Sequence, residues 1–513
     1  VTQSAEKTIA ARAGVGGVAV LFAKVFFILS GLVQQALLPR FIGRDGYGAL
    51  ALVLAPSNIV NNVVVAGSTQ GASRAVAGAP GREGEAQRAL AKVHAPLAMA
   101  CAAVFALAAW PIALFEHATY IAAPLVAMSA VLLFYGLYAP LVGVLNGRGL
   151  FVKQASLDVL FATMRTIALI GVGYWFVTRG LSGVLGSTIG FSIAALAIML
   201  VAFVMVRRAG APKSEDARAD VLSGFRYLKV LLPLAVAQLF TNLLMQVDIM
   251  LLGRFLHESG AKEIGDEWVG AYRACQLFAF LPYQLLLSLT QILFPMLARA
   301  KVEGDPDGVR AYVSRGARLG AICAGLMVAV IAGMPETAIR FAYDGVTAAR
   351  GAGALRVLAL GQGAFAMLGI GCTILSSMGR ERTSAVITAG AAGTAALACA
   401  IVVPSCAFGG AQLVATAWCM AVVLACAAIV CAVIVARFAG AFVPVATAAR
   451  VAVALAISVL VGACIPPSSR AMAPVIAVAI ACVYAIALLA SREISGADAK
   501  WVRAAFARRA RTT

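Results

Sequence analysis

The sequence predicts an all-α polytopic membrane protein: fourteen transmembrane helices, built as two pseudo-two-fold-related six-helix lobes with two further C-terminal helices. Three observations predict it. Of 513 residues, 62% are hydrophobic and 12% charged, where a soluble globular domain has roughly 45–50% and about 25%. Apolar stretches of about 20 residues, the length that crosses a bilayer as a helix, recur along the whole chain. Two polar passages of the first half also return in the second at nearly the same offset. Such a composition excludes a soluble or a disordered chain.

The spans fall at 14–38, 46–73, 93–114, 120–143, 155–178, 183–206, 230–253, 269–298, 319–339, 357–378, 384–403, 411–436, 451–465 (extended at its N-terminal end) and 471–490. The opening VTQSAEKTIAARAG has no short apolar run followed by a cleavage site, so a cleavable signal peptide is not expected. Spans one to six make an N-lobe, 1–206, and the longest polar connector, 207–229, reads as a cytoplasmic linker. The C-lobe, 230–436, carries spans seven to twelve, and 437–490 holds spans thirteen and fourteen. The last segment, 491–513, is a basic tail whose Trp501 and Phe506 suit it to the inner leaflet. Pro56, Pro96, Pro124, Pro140, Pro233 and Pro282 are expected to interrupt or bend their spans. Gly67-x-x-x-Gly71, Gly143-x-x-x-Gly147 and Gly186-x-x-x-Gly190 permit close helix packing.

Lys and Arg number 41 against 22 Asp and Glu, a net charge of +19. With the N-terminus inside, 29 of the basic residues fall in cytoplasmic segments, 9 in the opposite loops and 3 within spans. That bias, with an even number of spans, puts both termini in the cytoplasm. The charge thus reads as topology: nucleic acid is not implied as a partner, whereas anionic membrane lipids are. The 11 cysteines show no metal or disulfide spacing and read as reduced, small hydrophobes.

The passage RFIGRDGYGALALV after span one is echoed by GRFLHESGAKEIGDEWVGAYRACQLF after span seven, and LNGRG by SMGRER. Tyr47 to Arg74 and Tyr272 to Arg299 are each 27 residues, and the two echoes are offset by 225 and 232. Duplication of a six-span unit gives parallel copies related by an axis along the membrane normal. Two such lobes can rock about a central site, which is what alternating access requires. No pore loop or charged ring of a channel is evident.

An ionised side chain at a helix centre costs about 2.5–3.5 kcal/mol to insert and is normally turned toward a partner or a wet cavity. Lys24 in span one, Arg273 and Gln276 at the start of span eight, and the span-two stripe that includes Asn58 and Asn62 mark such a cavity. Its positive balance suits a phosphate or diphosphate, because fixed cations replace the hydration lost on crossing. The competing expectation is that Lys24 and Arg273 snorkel to an interface. Arg74 and Arg299, each ending a span, would attract the anion at the cytoplasmic mouth. Asp248, with Asn242 in span seven, is the candidate for ion or proton coupling, a partner to a cavity cation, or a structural hydrogen-bond acceptor. Asp158 and Arg165, seven residues apart in span five, are expected as a structural or cavity pair.

Enzyme signatures are missing. His94, His117 and His257 are too scattered for zinc, and neither HExxH nor a Walker motif occurs. No catalytic residue, metal site or resident cofactor is expected. Asp45, Glu116, Glu258, Glu263, Asp266 and Glu267 are the loop carboxylates a membrane glycosyltransferase would need, without a recognisable arrangement.

QQALLPRFIGRDGYGALAL, VDIMLLGRFL and VGAYRACQLFAFLPYQLLLSLTQILFPMLAR resemble the polysaccharide-transport branch of the multidrug/oligosaccharidyl-lipid/polysaccharide exporter (MOP) superfamily across spans one to twelve. The resemblance implies flipping of an undecaprenyl-diphosphate-linked oligosaccharide across the bacterial inner membrane for cell-surface polysaccharide assembly. It implies a functional monomer, with a polysaccharide polymerase or glycosyltransferases as candidate partners. The related lipid II flippases place cations in spans one and eight, which Lys24 and Arg273 match by span. They use an Asp in span seven with polar groups of span eleven for sodium. Asp248 fits the first part, but span eleven offers only Thr383, Ser384, Thr388 and Thr394, so Na+ or H+ coupling stays open. The multidrug branch carries buried carboxylates in its N-lobe, where this sequence has Lys24. A lipid II flippase, a cation-coupled multidrug antiporter and a noncatalytic scaffold in polymer assembly remain the alternatives.

Overall fold

A computed structural model describes residues 2–79, 82–210, 224–260, 262–284, 286, 297 and 305–493. The chain forms two compact units, Val1–Gly270 and Ala271–Thr513. In the first, α1 (Thr2–Ile42), α2 (Arg44–Ala77), α3 (Glu83–Phe115), α4 (Ala122–Gly147), α5 (Phe151–Thr178) and α6 (Gly183–Arg208) are followed by α7 (Gly224–Leu244) and α8 (Val247–Ser259). A 3₁₀ turn, Thr119–Ile121, leads into α4, and α9 (Lys262–Ala279) runs from the first unit into the second. The second unit continues with α10 (Pro306–Gly333), α11 (Pro335–Ala342), α12 (Gly345–Ser377), α13 (Glu381–Val402), α14 (Gly410–Ala439), α15 (Val445–Ala463) and α16 (Ala473–Ala490). Residues 230–270, which the sequence repeat groups with the C-lobe, fall within the first unit.

Among the described residues twelve helices are long and apolar enough to cross a membrane, and the bent pair α7–α8 makes a thirteenth. Much of the expected eighth span, 269–298, lies outside the described residues, as do most of the 207–229 linker and the tail from 494. The connection expected between spans nine and ten is helical instead. Pro335 starts α11, where a missing N–H costs nothing. Asp344 caps α12 by accepting the Thr347 N–H at 2.7 Å. Arg350 and Arg356 are therefore helical residues, and the tenth span begins twelve residues earlier than its hydropathy suggested.

Outward faces are apolar, as lipid demands: Leu107 is 79% exposed and Val386 71%. Inward, α2 is the core of the first unit, buried without interruption from Gly46 to Ser57. α4 reaches it through small residues: a Cβ on Gly143 would stand 2.6 Å from the Ala72 Cβ and 2.7 Å from the Thr69 carbonyl oxygen. The Gly143 and Gly186 motifs therefore serve packing, Gly190 lying against the Ala168 carbonyl of α5. In the second unit α10 is flanked by α15 and α16, and Tyr484 donates to the Ile322 carbonyl at 3.1 Å. Glu493, past the end of α16, accepts from Thr447 at 2.7 Å, Arg450 at 2.9 Å and Arg318 at 2.7 Å. Burial pushes this carboxyl up, but those three donors outweigh it and hold it below the usual Glu range.

Candidate functional site

The main irregularity of the first unit is the break in span seven. α7 stops at Leu244 and α8 starts at Val247, with a bend of 45° between them. No proline sits at the break, whereas Pro56, Pro96 and Pro140 lie inside continuous helices. Polar side chains gather there instead. Asn62 of α2 donates to the Asn242 Oδ1 at 2.8 Å, and Asn242 donates to the Gln238 carbonyl at 2.8 Å. Gln246 is 6% exposed and its Oε1 has no hydrogen-bond partner among the described residues; the same holds for the Oδ1 of Asn61. Asp248, 1% exposed, stands in the first turn of α8, where the helix dipole favours a negative charge. Asn58 is half-buried one turn before Asn62. Discontinuous spans form ion and substrate sites in many transporters.

The expected cations have different surroundings. Lys24 is exposed on α1, with Asp158 of α5 within Coulomb range. Arg165 does not pair with Asp158: seven residues rise about 10 Å along a helix, too far for contact. Its Nε donates to Gln34 Oε1 at 3.1 Å, and its guanidinium faces the rings of Phe27, Phe161 and Phe191 at 4.8, 5.6 and 6.0 Å. In the second unit, half-buried Arg273 donates to Gln276 Oε1 at 3.0 Å. Arg74 is exposed in the last turn of α2, while Arg299 lies outside the described residues.

A second polar group closes the other end of the first unit, and spacing gave no sign of it. Tyr120 donates to Asp266 at 2.6 Å, and His257 Nε2 lies 3.1 Å from the same carboxylate. His257 Nδ1 is 2.7 Å from the Gly253 carbonyl, and Lys262 caps the Tyr120 ring at 3.6 Å. Gly48 permits this closure, because a Cβ there would fall 1.7 Å from the Asp266 carbonyl oxygen. Glu116 is wholly buried nearby, with both carboxyl oxygens lacking a hydrogen-bond partner among the described residues. Burial pushes its carboxyl well above the usual Glu range, against the opposing charge of Arg254. Of the loop carboxylates, Asp266 thus meets a Tyr and a His scattered in sequence, and Glu116 and Asp45 lie within Coulomb range of that Tyr.

The sequence matches the family described as polysaccharide biosynthesis protein over residues 15–301, and the MatE family over 233–401. No curated protein matches it. A structure of the lipid II flippase MurJ in an inward closed conformation is similar, with a TM-score of 0.68 at 12% identity, covering 93% of this chain and 99% of that one. An inward-facing multidrug resistance MATE family transporter has a TM-score of 0.58 at 16% identity, covering 82% and 98%. A MOP superfamily transporter from Pyrococcus furiosus, described as having a binding pocket of reverse polarity, has 0.55 at 15%, covering 82% and 95%. The chain belongs to the polysaccharide biosynthesis protein family, and its polytopic helical fold is that of the MurJ flippase and MATE transporter structures.

Proposed function

We propose that the protein flips an undecaprenyl-diphosphate-linked oligosaccharide across the bacterial inner membrane, with both termini in the cytoplasm and Arg273 and Lys24 as the diphosphate contacts. The observation that carries this reading is the setting of Arg273. Among the described residues it donates to Gln276, a neutral amide and not a carboxylate. By contrast, Asp158 stands close to Lys24, and Arg165 is enclosed by rings and Gln34. A retained planar cation matches the bidentate geometry of a phosphate oxygen pair. Arg74 and Arg299 then serve the cytoplasmic mouth, Asn58 and Asn62 line the path, and spans thirteen and fourteen offer an apolar surface to the polyprenyl tail. Fourteen spans in two six-helix lobes, a monomer, and an assembly polymerase or glycosyltransferase supplying or consuming the cargo belong to the same proposal. Substituting Arg273→Ala abolishes glycolipid export while the folded protein stays in the membrane; normal export contradicts the diphosphate contact.

A second reading has one specific support. Asp248, buried at the start of the half-helix α8, suits a coupled cation. An antiporter working through that carboxylate loses activity in Asp248→Asn and keeps it in Lys24→Ala and Arg273→Ala. A lipid II flippase shares the diphosphate chemistry and is separated from the oligosaccharide reading by the sugar carried.

A further inference from the structure

We propose that Glu116 is a proton-binding site that couples closure of the extracytoplasmic end of the first unit to uptake of one proton from outside. The face assigned to it follows the orientation proposed above; the proton site itself rests on the local geometry.

Glu116 is the C-cap of α3, and the chain turns there in a left-handed conformation at His117, φ 53°, a region His enters more readily than most residues. The Ala118 N–H closes the turn onto the Ala113 carbonyl at 3.0 Å. This turn directs Glu116 inward while His117 is exposed. Three features then disfavour a carboxylate. The side chain is wholly buried, neither oxygen has a hydrogen-bond partner among the described residues, and it sits at the negative end of the α3 dipole. Against α8 it meets the bare backbone of Gly253, whose added Cβ would lie 3.0 Å from Glu116 Oε2.

Burial outweighs the one opposing charge that acts on it. From α8, Arg254 is within Coulomb range of Glu116, but its NH1 donates to the Phe115 carbonyl at 2.7 Å and its guanidinium lies over the Phe115 ring. His257 and Asp266 are engaged with each other and with Tyr120, and Lys262 with the Tyr120 ring. Tyr120 itself lies within Coulomb range of Glu116, Asp266 and Asp45.

The linkage follows directly. When α8 and α9 part from α2 and α3, water reaches Glu116 and it ionises near its ordinary pKa, about 4.3. On closure the carboxylate takes a proton from the outer water and becomes the neutral acid; on opening the proton returns. Because the closed-state pKa is the higher one, protons favour closure. The closed-to-open ratio falls about tenfold per pH unit as pH rises between the two pKa values.

Two measurements on the full-length protein in nanodiscs test this, and neither uses a cargo, so they are independent of the flippase reading. In infrared titration, wild type shows a buried carboxylic-acid C=O band at neutral pH that is lost in Glu116→Gln. In hydrogen exchange corrected for intrinsic rates, protection of 254–270 falls with rising pH in wild type and stays high at every pH in Glu116→Gln. Arg254→Gln, which removes the opposing cation, raises the closed-state pKa and so extends the fall in protection to higher pH. An unchanged infrared band in Glu116→Gln, or wild-type protection that is flat with pH, overturns the proposal. If Glu116→Gln does not fold, the wild-type exchange profile and its extension to higher pH in Arg254→Gln decide alone.

Discussion

Gly48→Ala probes the closure of the first unit. An added Cβ would lie 1.7 Å from the Asp266 carbonyl oxygen, whereas ordinary contact begins at 3.4 Å. The obstacle is backbone, so no side chain can swing aside, and α2 must separate from the start of α9 by about 1.7 Å. Overpacking of this kind costs about 1–3 kcal/mol, and a backbone clash belongs at the upper end. Alanine recovers about 1 kcal/mol of helix propensity, leaving roughly 2 kcal/mol against the closed arrangement, a factor of about 30. The assay is hydrogen exchange of 254–270 in nanodiscs, with Gly171→Ala, which meets nothing within 4 Å, as the control. Exchange about 30-fold faster in Gly48→Ala alone is expected. Equal protection in the two variants refutes the close approach.

Three further outcomes follow from the geometry. Glu493→Gln loses charge-assisted bonds to Arg318 and Arg450 and destabilises the second unit by about 1–3 kcal/mol, read as a lower melting temperature. Because the folded carboxyl is held below its ordinary pKa, wild type has this contribution above about pH 4.3 and loses it as pH falls through the folded value, so the two proteins converge in acid. Arg165→Lys cannot reproduce a planar group among three rings and melts lower than wild type, whereas a surface Arg207→Lys does not. Asn242→Leu removes the bond to Asn62, worth about 0.6 kcal/mol between membrane helices, so the protein folds while transport falls; unaltered transport removes the α7 break from the pathway.

Most spans were legible because hydropathy over 20 residues is a one-dimensional property. Less so were features that depend on caps and contacts. Asp344 and Pro335 turn a polar loop into helix by local capping, a signal present in the sequence but masked by Arg350 and Arg356. The break at Met245 and Gln246 carries no proline; Asn242, Gln246 and Asp248 in close succession were its only trace. Asp158 and Arg165 share a helical face, but rise separates what angle aligns, and each finds partners on α1. The Tyr120, His257 and Asp266 group unites a 3₁₀ turn, α8 and α9, so no spacing could reveal it.

The proposed activity is movement of a diphosphate-linked glycan through a path held by Arg273 and Lys24. It is tested most directly by translocation of a fluorescent polyprenyl-diphosphate oligosaccharide in proteoliposomes, with and without sodium or proton gradients. Transport by wild type that is lost in Lys24→Ala/Arg273→Ala is the expected result. Folded wild-type protein that moves none of several such lipids, or a double variant that moves them normally, contradicts it.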